Sequence, residues 1–577
     1  MVTMLRKRFL FIMLTALVTL SAKGGKPVRI CVEAAQGDAT RLLQQAIGQA
    51  SEHSGKEVVI ELQNADYHLY RQSATPKLYH VSNTTSEQEN PDATKHIGLW
   101  MKGLRNLTID GRGARLVTHG EMTAFVIDSC KNIRLRNFTL TAADPTVPEM
   151  TVTEDSEHQL TARIHPQSRY RIEDGRLSFV GDSWAWHRGI AQIYDPQREI
   201  TWRGWMPLND AQKVEELEPG VVRFYFERKP EVQRGWVFQM RDSYRDEVCG
   251  LIQYSRDVEL EGLHVAFTGN FSIVGQMTEN LTYRNLSFEP EAGSGRTCAG
   301  FADFLHFSGC RGRILIEHSR FAGAQDDAIN VHGTHLAVRE FLSPTLMRLR
   351  YMHGQTYGFQ SLLAGNEVDF IDPHTLLPLG TFRVKTARMD GEREIIVGLT
   401  KPVPQGIRDR KELAVENATY TPEVTIRGNY FARIPTRGIL VTTRRPVLIE
   451  DNLFFRTQMS AILIADDARS WYESGMVRNV CIRGNRFEEC GTPVINIAPE
   501  NDRDGGCVHS GISIQNNCFR LSGHPAVAAK SVDGLRIEHN TIYSSDEGEP
   551  FHTQSCMNVY IQENLNIPKD KGNAHPG

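Results

Sequence analysis

Three aspartates and a histidine crowd into one short stretch of this chain. FADFLHF carries Asp303, and the following RFAGAQDDAINVHG carries Asp326, Asp327 and His332. The aspartate pair comes 23 and 24 residues after Asp303. In parallel strands stacked with that period, the carboxylates converge at about one strand spacing, roughly 4.8 Å. Like charges so close cannot all ionise, which raises some of their pKa values and suits general acid and base work. An Asp-Asp pair alone is most often a turn or solvated surface. The preceding Asp303, the following His332 and a stacked fold give it a chemical reading, with His332 as an orienting or ring-binding group.

Glycoside hydrolysis needs one carboxylic acid to protonate the leaving oxygen and a carboxylate to act as base or nucleophile. Glu367, in GNEVDFID, is the candidate acid, because its segment begins just after the Asp pair and can fold over it. Asp369 and Asp372 compete with it, and an exposed acidic patch is the bland alternative. Apolar sugar faces pack on aromatic rings. Trp184, Trp186, Trp202, Trp205 and Trp236 fall in one segment and read mostly as its own core, whereas Trp471 in DDARSWYESG, with Arg469 and Glu473, reads as a substrate contact. The sequence has no HExxH, no P-loop and no G-x-S-x-G.

The elements that must position these residues come from an internal repeat. VTIRGNYF, VLIEDNLF, VCIRGNRF, ISIQNNCF, LRIEHNTI and VYIQENLN align, with Asn429, Asn452, Asn485, Asn517, Asn540 and Asn564 at intervals of 23, 33, 32, 23 and 24. Upstream, VELEGLHV, LTYRNLSF and ILIEHSRF place Leu263, Leu286 and Ser319 in the same column, and LTIDGRGA and IRLRNFTL are earlier copies. Each copy alternates apolar and polar residues, breaks at a turn residue and resumes. A coil of about 23 residues divides into three short strands and three turns. Asparagine suits the corner because it tolerates the left-handed conformation. The predicted fold is all-β: a right-handed parallel β-helix of the pectin-lyase-like type.

Two stretches interrupt the ladder. Residues 143–245 and 337–421 hold strand-like pieces with antiparallel patterning, and read as small β-barrel or β-sandwich modules inserted between coils. The remaining divisions are 23–142 (a helical cap near 41–54 and the first coils), 246–336 (the coils with the Asp cluster) and 422–577 (the last coils). At the N-terminus, Arg6, Lys7 and Arg8 precede the apolar run Phe9–Leu20 and the small residues Ser21 and Ala22. That pattern predicts a signal peptide over 1–22 and export to the periplasm or beyond. The run is shorter than the roughly 20 residues of a membrane span.

A formal net charge of −4 over 577 residues offers no basic excess for nucleic acid. The ten cysteines show no C-x-x-C pair and scatter too widely for a thiolate metal site, so they read as interior fillers. Self-association stays compatible with this composition.

The GAQDDAINVHG and DDARSWYESG segments, together with the two interruptions, resemble glycoside hydrolase family 110, over essentially the whole chain after the signal peptide. Polygalacturonase-like β-helices share the general chemistry, but their N-T-D and G-H-G segments are missing. The resemblance implies a bacterial exo-acting α-1,3-galactosidase that removes terminal α-1,3-linked galactose from oligosaccharides or glycoconjugates such as the blood group B determinant. It further implies inversion and no metal or other cofactor. Carried over, Asp303 and Asp327 hold and activate a water, Asp326 assists, and Glu367 is the acid. The competing readings are another polysaccharide-degrading β-helix, including a lyase with an arginine or lysine base and calcium, or a non-catalytic carbohydrate-binding β-helix.

Overall fold

The computed structural model describes residues 26–34, 36–53, 55–545 and 548–568, so the expected signal peptide lies outside the described residues. The repeats form two long parallel sheets. One runs from Val28–Val32 to Leu565–Pro568, and the other, apart from antiparallel pairings of Thr75–Leu78 and Glu473–Ser474, from Thr94–Lys102 to Phe551–Gln554. Aligned positions fall in register, Val424 on Val447, Val447 on Val480, Val480 on Ile512 and Ile512 on Leu535. Inward residues therefore stack on their own kind. Phe321, Phe431, Phe454, Phe487 and Phe519 form a column with ring centroids 5.1, 4.6, 5.0 and 4.8 Å apart.

The asparagine column is buried from Asn429 to Asn540 and spends its amides along the stack. Asn452 Nδ2 donates to Asn485 Oδ1 at 2.9 Å and to Ile426 O at 3.0 Å, and Asn485 Oδ1 also accepts from Asn452 N at 3.0 Å. One expectation needs correction. The left-handed residue is the one before each asparagine: Gly428, Asp451, Gly484, Asn516, His539 and Glu563 have φ of 63°, 55°, 65°, 56°, 56° and 54°. That kink turns the next side chain inward, where a dry amide must find partners in the coils above and below.

The helix Thr40–Glu52 buries Leu43, Ala46, Ile47 and Ala50 against the first coils. The first interruption is a seven-stranded antiparallel sheet between Glu149 and Arg241 with a three-stranded sheet beside it. Trp186 is in its core, with Trp184, Trp202, Trp205 and Trp236 packed against it. The second interruption, from Leu336–Ser343 to Ala414–Asn417, closes into a six-stranded barrel. Both are fastened to the helix by polar contacts. Gln325 Nε2 donates to Gln239 Oε1 at 2.6 Å and Gln192 Nε2 to Gln325 O at 3.2 Å, which fixes the first module beside the Asp pair. Arg444 of a coil bridges Asp369 and Glu416 of the barrel. All ten cysteines are free thiols, and Cys130, Cys249, Cys298, Cys310 and Cys490 are buried. No helix among the described residues is long and apolar enough to cross a membrane.

Candidate active site

Asp303 lies just before the strand Leu305–Ser308, and Asp326 and Asp327 just before Ile329–Thr334 of the next coil. Leu305 pairs with Ile329, so Asp303 and Asp327 occupy equivalent positions one coil apart, and Phe304 N donates to Asp327 O at 3.1 Å. The three side chains bring one oxygen each to within 4.8 Å of one another. The same column continues to Arg437, since Ile329 pairs with Ile439. Arg437 Nη2 donates to Asp327 Oδ2 at 2.8 Å and its backbone N to Oδ1 at 3.1 Å.

Burial and proximity divide the three carboxyls. Burial, reinforced by the Asp326 charge, pushes Asp303 up to about 8. Burial also pushes Asp327 up to about 7 against the pull of Arg437. At Asp326 the same burial is outweighed by the Arg203, Arg437 and Arg245 charges, which hold it below the ordinary carboxylate value. The cluster thus retains a proton at neutral pH while keeping a carboxylate, the combination that acid–base catalysis requires. Asp326 is the most open of the three, with 18 % of its side chain exposed against 7 % for Asp303 and 2 % for Asp327. Three convergent carboxylates could also hold a cation, but Arg203, at 3.1 Å from Asp326, and Arg437 already bring compensating charge.

The carboxylates line a cleft of about 290 Å³ walled by Asn83, Arg203, Arg245, Trp471, Glu473 and Glu500. Asn330 also lines it, with its buried Oδ1 unpartnered among the described residues, an acceptor left for a ligand hydroxyl. The loop bearing Trp471 is fixed by Asp467, whose carboxylate accepts the backbone N–H groups of Arg469, Ser470, Trp471 and Tyr472. Trp471 is 46 % exposed and stacks on His353 of the second module at 4.4 Å. A larger groove of about 710 Å³ lies on the first module beside Trp205, but its acids Asp210, Glu227 and Glu231 are separate, exposed side chains. The chemistry belongs to the smaller cleft.

Of the residues singled out in the sequence, Asp303, Asp326, Asp327, Trp471 and Glu473 meet in this cleft. Glu367 does not, and the expectation of an acid there is corrected. It starts a barrel strand, its side chain 52 % exposed and paired with Arg383 at 3.2 Å. Its competitors fare no better, because Asp369 is tied to Arg444 and Asp372 to Arg410. Arg469 is also outside the lining, drawn to Asp502 at 2.7 Å. His332 is buried behind the carboxylates and does not line the cleft. Sequence reasoning missed Asn83, Arg203, Arg245, Asn330 and Arg437. Extending the column that relates Asp303 to Asp327 by one further coil would have found Arg437.

The comparisons with known proteins agree with this architecture. Residues 413–567 match the right handed beta helix region, 148–237 the GLAA-B beta-barrel domain I and 346–410 the GLAA-B beta-barrel domain II. Alpha-1,3-galactosidase A of Bacteroides thetaiotaomicron is 46 % identical over 92 % of this chain and 94 % of its own length. Alpha-1,3-galactosidase A of Bacteroides fragilis strain YCH46 is 37 % identical over 90 % of this chain and 88 % of its own. Alpha-1,3-galactosidase B of Bacteroides thetaiotaomicron is 31 % identical over 91 % and 88 %. Similarity at this level, running through nearly the whole chain and both inserted modules, means that the chain belongs to the α-1,3-galactosidases of glycoside hydrolase family 110.

Proposed function

We propose that the protein is an exported exo-α-1,3-galactosidase that releases terminal galactose from linear and blood-group-B-type glycans with inversion. The observation that carries this reading is the carboxylate triad, its oxygens within 4.8 Å of one another at the base of a walled cleft. Walls contributed by Arg203, Trp471 and Asn83 favour a chain end over an uninterrupted polymer. Two oxygens at such a separation are both within reach of one water, at hydrogen bonds of about 2.7–2.8 Å. Asp303 and Asp327, the deeper pair, hold that water and take its proton. Asp326, the most open, faces the leaving oxygen; its arginines hold it ionised at rest, and the proton it delivers first passes to it from Asp327, which that transfer leaves ionised as a base. Trp471 offers its exposed ring to an apolar sugar face.

The triad is tighter than the roughly 6.5–9.5 Å of an ordinary inverting pair and nearer the roughly 5–5.5 Å of a retaining one. That spacing favours a second reading, in which one aspartate attacks the anomeric carbon. Against it, Asp327 has both oxygens engaged by Arg437, and Asp303 and Asp326 each have one oxygen bonded, to His306 and Arg203. Comparing substrates with good and poor leaving groups tests the division of roles. Asp326→Asn is expected to retain much more activity on an aryl α-galactoside than on galactose-α-1,3-galactose, whereas Asp303→Asn and Asp327→Asn lose both. Equal losses on both substrates for Asp326→Asn would remove it as the acid.

A further inference from the structure

Behind Asp303 runs a buried chain of hydrogen bonds that the roles above do not use. Asp303 Oδ2 is 2.9 Å from His306 Nδ1, and His306 Nε2 is 3.0 Å from His332 Nε2. His332 Nδ1 is 2.6 Å from Gly333 O, and His332 Nε2 is 3.6 Å from Glu473 Oε1. The β-helix creates this chain, because Ser308 pairs with His332 and the two rings therefore come from adjacent coils. His306 is fully buried and His332 nearly so.

Counting protons gives the chain two states. A carbonyl oxygen can only accept, so His332 Nδ1 donates to Gly333. If His332 is neutral, its Nε2 accepts from His306 Nε2–H, His306 Nδ1 then accepts, and Asp303 must be the protonated acid. If the Asp303 Oδ2–H bond breaks as His306 Nδ1–H forms, and His306 Nε2–H breaks as His332 Nε2–H forms, the same number of protons is present. Asp303 is then a carboxylate, and His332 is a cation facing Glu473, whose Oε1 is steadied by Asn83 Nδ2 at 2.8 Å.

We infer that His306 and His332 form a proton relay that empties Asp303 for its role as base by parking its proton on His332 beside Glu473. The inference rests on the reading of Asp303 as a base. During turnover Asp303 takes the proton of the water, Asp326 gives its own to the leaving oxygen, and transfer from Asp303 to Asp326 across the triad restores the ready state. His306 touches no substrate and is a positioning residue acting through Asp303. The charged groups facing this chain are Asp326, Asp327, Arg245, Arg437 and Glu473.

The test uses His306→Asn, which keeps a polar atom beside Asp303 but has no second ring nitrogen to reach His332, with His306→Leu as companion. Both are expected to lower kcat by about 100-fold or more, the scale of a lost proton-transfer group, with KM nearly unchanged. The acidic limb of kcat/KM moves to higher pH, because Asp303 must now lose its proton to solvent. A His306→Asn enzyme with an unshifted limb overturns the relay. Should these variants fail to fold, ¹⁵N-histidine NMR of the wild-type protein decides. A doubly protonated His332 is expected in the galactose complex and should vanish in Asp303→Asn, whose amide donates permanently to His306. Its persistence there overturns the relay. Hydrolysis that survives Asp303→Asn sinks the catalytic reading itself, which separates the two failures.

Discussion

Replacing Arg437 by alanine removes the guanidinium from Asp327 while keeping the backbone N–H bond. The ion pair is 2.8 Å long, and 2 % of the Asp327 side chain is exposed. Unit charges about 4 Å apart at an effective dielectric of about 20 interact by about 4 kcal/mol. That is close to three powers of ten in proton affinity. Water entering the space vacated by the side chain returns part of this, leaving a change of about two powers of ten. Asp327 stands at about 7 with the arginine present. As a base it acts ionised, so raising its pKa empties the active form at neutral pH and leaves it populated only in alkaline solution. At pH 7 the ionised fraction then falls from about one half to about one hundredth, and kcat/KM falls about 50-fold. Galactose release from galactose-α-1,3-galactose, followed from pH 5 to pH 10, should show the acidic limb displaced by about two pH units and partial rescue by free guanidinium. A loss of the same size at every pH, or none at pH 7, would refute the argument that Arg437 sets the protonation of Asp327.

Asp303 titrates in the fold at about 8, far above its ordinary value of 3.8. Between those values the folded state holds a proton that the unfolded chain lacks, so its stabilisation is present at low pH and lost as pH rises through 8. Asp303→Asn is therefore expected to raise Tm by a few degrees, more at pH 8 than at pH 4, in paired thermal melts. Asn485→Ala leaves buried partners unsatisfied on both sides of the stack and should cost about 3–4 kcal/mol in denaturant unfolding. Asn564→Ala, whose partners among the described residues lie on one side only, should cost about 1 kcal/mol. Equal costs would show that the column does not carry its stability in the amide ladder. Trp471→Ala removes a platform worth about 0.5–1.5 kcal/mol, so KM should rise about threefold to tenfold with kcat nearly constant.

The ladder was legible because parallel stacking forces each inward position to repeat its own chemistry, and the intervals between asparagines report coil lengths directly. For the same reason the step from Asp303 to Asp327 could be read as a distance. What escaped the sequence lies off the ladder. Arg203 and Arg245 reach the cleft from the first module, and Asn83 from the N-terminal segment, through tertiary docking that has no period. Glu367 was misplaced for that reason too: proximity in sequence to the Asp pair says nothing about which face of a closed barrel a strand occupies. Nothing in the pattern of FADFLHF marks His306, and only the register of Ser308 on His332 reveals what it touches.

The anomeric form of the first product tests the central claim most directly. With galactose-α-1,3-galactose and the blood group B trisaccharide as substrates, time-resolved ¹H NMR should show free β-galactose appearing before mutarotation, with no release by Asp327→Asn. First appearance of α-galactose would contradict the water held between Asp303 and Asp327 and assign one of the aspartates as nucleophile.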